Sequence, residues 1–294
     1  MVEDLTAFAK KYNPDFHVCY NKGHVGYLDK PVIKDYSYFS FESLPGVEWG
    51  YLDFPVSAKY MRNFGKECLG LTSRFHTEWG DFHAFRNEAA MEYEVFSMLS
   101  HGCKCTIGDQ MDYWGKLNKD MYQQIGRVYK SVEEKEPWCE NAKPVSEIGV
   151  FTAEEFYATG VAGQIPGASE GVARLLMEYG YQFDFIDSTS DFGKYRLLIL
   201  PDVIPVDEIL GRKLSAYINA GGKLLASYQS GLDKDHQKFM ISELAVKYLG
   251  DAPYSPDFIW PKEHLAKGLA DAEHVMYDKG TLVEATDEAQ FVQK

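Results

Sequence analysis

Strands and helices alternate along the first 144 residues of this 294-residue chain, and that order constrains the fold more than any single motif. The pattern predicts strands over residues 16–21, 36–43, 68–76 and 104–107, with helices over residues 1–12, 55–65, 87–101 and 118–132. Strands that alternate with helices are typical of parallel βα units. The first segment is therefore predicted to hold four such units.

Each predicted strand has one apolar and one partly polar face, because side chains two positions apart share a face. Glu42 opposes Phe41 in one strand, and Thr72 and Arg74 oppose Leu71 in another. An open sheet with helices on both faces favours apolar residues on both, whereas a barrel can place polar groups inside. The predicted fold class is therefore α/β, with residues 1–144 forming a partial (β/α)8 barrel of the last four βα units. Because the chain begins with a helix, we expect it to be a fragment of a longer barrel.

Residues 133–144 are largely polar and are predicted to link this segment to a second one. Predicted strands at 148–151, 183–186, 197–200 and 223–228 alternate with helices at 168–179 and 207–220, and short strand-like pieces follow at 273–277 and 280–284. The continuous apolar run at 197–200 is typical of a central parallel strand buried on both faces. The predicted domains are therefore 1–144 and a flavodoxin-like parallel-sheet domain at 145–294.

Charge and cysteine usage limit the possible partners. The net charge of -14 disfavours nucleic acid, and no apolar run approaches the roughly 18 residues of a membrane span. The start of the chain lacks a signal peptide, and five Cys without a regular framework indicate a reducing, cytoplasmic location. Cys103 and Cys105 share a strand face, but no Cys/His pair at metal-binding spacing accompanies them, so we expect neither metal nor cofactor.

Chemistry is predicted where the strands end, above all in residues 74–82, which combine a guanidinium, an imidazole, two carboxylates and three aromatic rings. Glu42 and Glu78 form the predicted catalytic pair, because glycoside hydrolysis needs two carboxyl groups about 5 to 10 Å apart. The alternative is that each is an exposed loop acid. The aromatic content of 15% fits stacking on sugars or a protein interface.

Further side chains at the same strand ends are predicted to bind substrate hydroxyls or rings: Arg74, His76, Trp79, Asp81, Asn21, Asp109 and Gln110. Three of them have structural alternatives. Arg74 could form an internal ion pair, Trp79 could be a packed lid, and Asp109 could serve a turn.

Motifs between residues 74 and 138 resemble the C-terminal half of the barrel in a family of hypothetical glycosyl hydrolases, often described as α-L-fucosidase-like. The residues that carry the resemblance are Arg74, Phe75, His76, Trp79, Gly80, Asp81, Phe82, Glu94, Gly102, Ile107, Gly108, Asp109 and Gln110, followed by residues 134–138. Residues 145–249 resemble the β-galactosidase trimerisation domain, a class I amidotransferase-like fold without the catalytic Cys. Residues 221–226, 247–250 and 253–256 carry this second resemblance.

The resemblance implies a retaining glycosidase scaffold that acts on carbohydrate and assembles as a dimer or trimer. In related barrels the acid and the nucleophile follow the fourth and seventh strands. Glu78 would follow strand seven and Glu42 strand six, and the strand-four residue would lie before Met1. The expected function is a glycoside hydrolase, α-L-fucosidase-like or β-galactosidase-like, of which this chain carries part of the active site. The alternative is a non-catalytic carbohydrate-binding or oligomerisation module.

Overall fold

The computed structural model describes residues 1–47, 49–77, 79–157, 164–262 and 266–286. Its α-helices are α1 (Val2–Tyr12), α2 (Asp53–Met61), α3 (Glu88–Ser100), α4 (Lys119–Glu133), α5 (Glu136–Cys139), α6 (Glu154–Tyr157), α7 (Gly167–Glu178) and α8 (Glu208–Asn219). Its strands are β1 (Phe39–Glu42), β2 (Cys68–Ser73), β3 (Lys104–Gly108), β4 (Ile148–Phe151), β5 (Phe183–Ile186), β6 (Leu197–Leu200), β7 (Lys223–Ala226), β8 (Val246–Asp251), β9 (Asp257–Ile259), β10 (His274–Met276) and β11 (Thr281–Ala285). Short 3₁₀ helices span Tyr27–Asp35, Pro45–Val47, Arg62–Phe64, Phe192–Lys194 and Ser242–Leu244.

The chain divides into two compact units. The first comprises residues 1–147 and 152–187, and the second comprises residues 148–151 and 188–294. The domain boundary predicted at residues 144 and 145 stays a prediction. Within the described ranges, no helix is long and apolar enough to cross a membrane.

The first unit contains a parallel sheet in the order β1-β2-β3. Its helix-facing side is closely packed: Phe39 and Phe41 are fully buried, and the Phe41 ring lies 5.2 Å from that of Phe54 in α2. No larger residue fits at Gly70 of β2, because a Cβ atom there would lie 2.5 Å from the Met98 side chain of α3. Because helices occupy this side of the sheet, a ligand can bind only on the opposite side.

Helices α3 and α4 share a second apolar cluster beneath β3. Its buried members are Met91, Val95, Met121, Val128 and Val132. The side chains of Asn87 and Asn118 accept backbone N–H groups at the first turns of the two helices, as expected of N-cap residues. The helices predicted at 87–101 and 118–132 are thereby confirmed to within a residue or two.

The free edge of β3 is covered by one side chain. Among the described residues, β3 pairs only with β2. The hydroxyl of Tyr129 in α4 accepts the N–H of Ile107 and donates to the carbonyl of Cys105, both at 3.3 Å. Unpaired edge groups attract foreign strands, so this hydroxyl protects the edge.

Two expectations for the first unit are wrong. Residues 16–21 do not form a strand, although the segment runs beside β1: Ser37 N donates to Val18 O at 2.8 Å, and Glu42 N donates to Gly23 O at 3.0 Å. Val18 N donates to the Ser37 hydroxyl instead of a carbonyl, so no regular ladder forms.

The predicted face assignment of β2 is also wrong, because Thr72 and not Leu71 was expected to share the partly polar face with Glu42. The register pairs Glu42 with Leu71 and Leu71 with Thr106, so Leu71 shares the face of Glu42. Thr72 points the other way and donates its hydroxyl to Glu94 of α3. A buried carboxylate thus satisfies a polar side chain on the face expected to be apolar.

The second unit contains the parallel strands β4, β6 and β7, with β6 between the other two. This confirms the prediction of a buried central strand at 197–200. Two antiparallel pairs follow, β8 with β11 and β9 with β10. Strands β10 and β11 match the predicted pieces at 273–277 and 280–284, whereas β8 and β9 were not predicted. The α/β class with parallel sheets is confirmed.

Candidate active site at the carboxyl ends of strands β1 to β3

On the side of the first sheet opposite α2 and α3, Glu42 of β1, Leu71 of β2, Gly108 of β3 and Trp79 from the loop after β2 form a small group. Glu42 closes β1 and lies next to Leu71 of β2 in the register. On the other side of Leu71, a Cβ atom on Gly108 of β3 would lie 3.4 Å from the Leu71 side chain and 2.4 Å from the Trp79 ring. Glu42 and Trp79 therefore flank the same apolar side chain on the same face.

The carboxylate of Glu42 is partly buried and has no hydrogen-bond or ion-pair partner among the described residues. Its backbone N–H is held by Gly23 O at 3.0 Å, so the residue itself is fixed. Burial raises the pKa of Glu42 above its ordinary value. A carboxyl group with a raised pKa and free lone pairs can donate a proton or accept substrate hydroxyls.

Trp79 covers the end of β3 and remains 37% exposed. Its ring meets that of Phe75 edge-on, with the ring centroids 5.7 Å apart. The contact with Gly108 allows the indole to lie directly on the backbone, and a larger residue at position 108 would displace it. An indole on the same sheet face as a carboxylate without a protein partner offers an apolar surface and a hydrogen-bonding group to one ligand.

Arg74 forms an internal ion pair with Asp109. Its Nε donates to Asp109 Oδ1 at 2.6 Å, its Nη1 donates to Phe82 O at 3.2 Å, and its guanidinium lies 4.1 Å from the centre of the Phe75 ring. The Arg74 and Asp109 side chains are only 3% and 9% exposed. The pair joins the loops after β2 and β3, which is the internal ion pair considered as an alternative for Arg74; substrate binding by either residue stays a prediction.

The other predicted residues are spread around this group. His76, Gln110 and Asn21 are exposed and Asp81 is partly exposed. Gln110 Oε1 lies 3.4 Å from the position of a Cβ on Gly80, the residue after Trp79. Glu78, the partner predicted for Glu42, lies outside the described residues. Substrate binding by these residues stays a prediction.

A buried polar network supports the site from behind. Arg86 Nη2 lies 2.9 Å from Glu94 Oε1, and both side chains are almost fully buried. Arg86 Nη1 donates to Thr72 Oγ1 and to Ser73 O, both at 2.9 Å. Burial raises the pKa of Glu94 to about 7, against the opposing effects of Thr72 and Arg86. The network ties the end of β2 to α3.

A second polar cluster was not predicted from the sequence. His24 Nδ1 lies 2.9 Å from the hydroxyl of Ser57 in α2, and His24 Nε2 lies 2.8 Å from Glu154 Oε1. Glu154 Oε2 accepts the N–H of Tyr27 at 2.9 Å. A cavity of about 10 Å³ adjoins these groups, roughly the space that one water molecule needs. Ser57 is 3% exposed inside a helix, so the cluster is an anchor for the loop after residue 23 and not an open nucleophile.

The charge of this anchor depends on Glu154. Desolvation lowers the pKa of His24, but the hydrogen bond and charge of Glu154, with the charges of Asp53 and Asp29, outweigh it and raise the pKa above its ordinary value. His24 and Glu154 lie far apart in the sequence, and no spacing rule joins them. Among the described residues, no group of three or more His, Cys, Asp or Glu side chains is placed to hold a metal ion.

Known proteins resemble this chain in sequence and in structure. Residues 174–248 match the β-galactosidase trimerisation domain. The trimerisation-domain match lies within the segment for which that resemblance was predicted. The chain is also 22% identical over 188 residues to β-galactosidase GanA of Bacillus subtilis (strain 168), a match that covers 60% of this chain and 28% of GanA.

Solved structures extend the resemblance to both units. α-L-Fucosidase isoenzyme 2 from Paenibacillus thiaminolyticus matches with 34% identity and a TM-score of 0.92, over 99% of this chain and 44% of that enzyme. A β-galactosidase from Bacillus circulans sp. alkalophilus matches in fold alone, with 13% identity and a TM-score of 0.78, over 100% of this chain and 49% of that one. The predicted resemblance to glycosyl hydrolases followed by a trimerisation domain is confirmed. The chain spans less than half the length of each of these three relatives.

Proposed function

We propose that this chain forms part of a glycoside hydrolase and holds a sugar residue between Glu42 and Trp79. The observation that carries the proposal is the Glu42 carboxylate, which is fixed through its backbone, partly desolvated and without a protein partner in the described structure. A carboxyl group of this kind is what an acid in glycoside cleavage requires. The indole of Trp79 on the same face supplies the stacking surface.

The architecture proposed for residues 1–144 is the last four βα units of a (β/α)8 barrel. Glu78 is the second carboxyl group of the site, after strand seven. The strand-four residue implied by the family resemblance comes from polypeptide outside these 294 residues. Such an arrangement makes this chain one wall of an active site, and the similarity to only 44% of the fucosidase agrees with it.

The names of the relatives suggest the substrate class. The neighbours are an α-L-fucosidase and β-galactosidases, so the proposed substrates are glycosides with a terminal fucose or galactose. For residues 145–294 we propose an amidotransferase-like fold that mediates assembly, supported by the trimerisation-domain match at 174–248. The non-catalytic alternative, a carbohydrate-binding or oligomerisation module, shares this assembly role.

Calorimetric titration with L-fucose and D-galactose tests the sugar site. Glu42→Gln should weaken binding about ten- to a hundredfold, because a hydrogen bond to a charged group is lost. Glu67→Gln is the matched control: Glu67 precedes β2 at the opposite end of the sheet, where it pairs with Lys104 on the surface. Equal affinities of the two variants, or no saturable binding of either sugar, would contradict the proposal.

Hydrolysis by this chain would favour the enzyme over the binding module. The chain is assayed with nitrophenyl α-L-fucoside and nitrophenyl β-D-galactoside, with Glu42→Gln as the comparison. Release of nitrophenol that falls at least about a hundredfold in Glu42→Gln supports a catalytic carboxyl. Sugar binding without any release fits both the module and a single wall of an active site, whereas release that Glu42→Gln leaves unchanged excludes Glu42 from the chemistry.

A further inference from the structure

A run of aromatic rings leads away from the proposed sugar site. It consists of Trp79, Phe75, Phe82, Tyr113 and Trp114, called here the aromatic rim. From Phe75 the rings continue through Phe82 and Tyr113 to Trp114, with successive centroids 6.1, 6.4 and 5.0 Å apart. The rim therefore begins where Trp79 lies over Gly108 and extends beyond the reach of a single sugar ring.

The outer end of the rim is open to solvent. Tyr113 and Trp114 are each 72% exposed, whereas Trp79 at the inner end is 37% exposed and Phe75, the next ring, is fully buried. Two adjacent large rings left in water carry a hydrophobic cost that most surfaces avoid, and such patches commonly mark binding sites. The two most exposed rings thus stand at the outer end of the rim, and the buried Phe75 joins them to Trp79 from below.

The turn that carries these two rings is held in a defined shape. Asp112 Oδ1 accepts the N–H of Trp114 at 2.9 Å and of Lys116 at 3.3 Å, and Asp112 O accepts the N–H of Gly115 at 2.9 Å. Gly115 has a φ of +67°, a left-handed conformation that favours glycine. The backbone therefore presents Tyr113 and Trp114 in a fixed orientation, which lowers the entropic cost of binding.

The chemistry of the rim fits a saccharide. Tyrosine and tryptophan combine an apolar face with an O–H or N–H at the edge, and a pyranose offers C–H groups on one face and hydroxyls around its rim. The exposed amide of Gln110 lies next to Gly80, beside the inner end of the rim. The net charge of -14 opposes an anionic ligand, so a neutral polyhydroxylated chain is favoured.

We propose that the aromatic rim binds the second and following sugar units of an oligosaccharide whose terminal unit lies between Glu42 and Trp79. This inference rests on the proposed function and deepens it: the substrate is an oligosaccharide or an extended glycoside, and not a glycoside with a small leaving group. Tyr113 and Trp114 are the residues that favour the longer substrate over the shorter one.

The test compares ligands that share a terminal sugar but differ in length. Isothermal titration is performed with L-fucose against 2′-fucosyllactose, and with D-galactose against lactose. In the wild-type chain the longer ligand of at least one pair should bind more tightly. Replacing both rings, Tyr113→Ala with Trp114→Ala, should weaken that ligand about tenfold and leave its monosaccharide unchanged.

Trp138→Ala is the matched control, since Trp138 is 85% exposed on α5 and stands outside the rim. Asp112→Ala keeps both rings but removes the bonds that shape the turn, and should cause a smaller loss of the same kind. Melting curves confirm that each variant folds.

Three outcomes would overturn the inference. The double variant could weaken both members of a pair equally, it could weaken neither, or Trp138→Ala could match it. Loss of self-association in the double variant with unchanged sugar affinities would instead assign the rim to a protein contact. If the wild-type chain binds none of the four sugars, the proposed function fails, and the inference fails with it.

Discussion

At the scale of single residues, the site depends on a glycine, Gly108, whose lack of a side chain leaves room for Trp79. Gly108 has an ordinary backbone conformation, so its importance lies only in the space that the Trp79 ring occupies. Gly108 shares the sheet face of Leu71, which itself flanks Glu42. A methyl group added at Gly108 would therefore act on the indole first and on the site as a whole second.

Gly108→Ala should displace the Trp79 ring, because its Cβ would lie 2.4 Å from the indole. We expect a loss of about 1 to 3 kcal/mol in the free energy of unfolding and a shift in tryptophan fluorescence. Gly126→Ala is the control: nothing lies within 4 Å of its Cβ inside α4, so helix propensity should make it neutral or stabilising. Equal effects of the two substitutions in denaturant titrations would show that Trp79 does not rest on Gly108.

The buried pair behind the site can be compared with a surface pair on the same helix. Glu94→Ala leaves the Arg86 guanidinium buried without its carboxylate and should cost about 3 to 5 kcal/mol. Glu88, also in α3, pairs with Arg127 in solvent, and Glu88→Ala should have a far smaller effect. Thermal unfolding of both variants decides, and similar midpoints would mean that Arg86 finds water when Glu94 is removed.

At the scale of elements, sequence patterns located the ends of α3 and α4 better than the faces of the strands. The caps at Asn87 and Asn118 act locally, so the predicted bounds held. The face assignment of β2 failed because Thr72 finds its partner, Glu94, on a helix that follows the strand. The alternation of apolar and polar residues along a strand reports only hydrophobicity. It cannot identify a polar side chain that is buried because a residue of another element forms a hydrogen bond with it.

The candidate site shows the same division. That Glu42 and Trp79 lie at one edge of the sheet could be predicted, because the ends of parallel strands meet there; their role stays a prediction. His24 and Glu154 could not, because only the folded chain brings them together. The consecutive rings of Tyr113 and Trp114 in a polar loop were a visible signal whose meaning depended on knowing their exposure.

The loop after residue 23 should be sensitive to pH through His24. Its folded pKa is raised above the ordinary 6.5, so the stability that the proton confers is fully present below pH 6.5 and is lost as the pH rises through the folded pKa. In the NMR titration of the His24 ring, we expect a midpoint above 6.5 in the wild type and a lower one in Glu154→Gln. Unchanged midpoints would show that Glu154 does not hold the proton.

At the scale of the whole molecule, charge and assembly act against each other. A net charge of -14 on each chain opposes self-association, while the match at residues 174–248 is to a trimerisation domain. Salt shortens the range of the repulsion from about 30 Å at 0.01 M to about 8 Å at 0.15 M. Assembly should therefore strengthen as salt is added.

Sedimentation equilibrium at the two salt concentrations checks this expectation. We expect the average mass to rise towards three times that of one chain at 0.15 M salt. Ile209→Lys, at a 70% exposed apolar position of α8 within the matched segment, should reduce association. Val145→Lys, at an 81% exposed position outside that segment, is the control. A monomer at both salt concentrations would contradict an assembly role for residues 174–248.

The hydroxyl of Tyr129 turns strand addition at the edge of β3 into a competition. An incoming strand can pair with Ile107 and Cys105 only after the phenol has left, so it must offer more than the two bonds that one oxygen atom already makes. A partner that forms a long ladder passes this threshold, and a short exposed segment does not. Because α4 carries the ring, the packing of α4 also sets how selective that edge is.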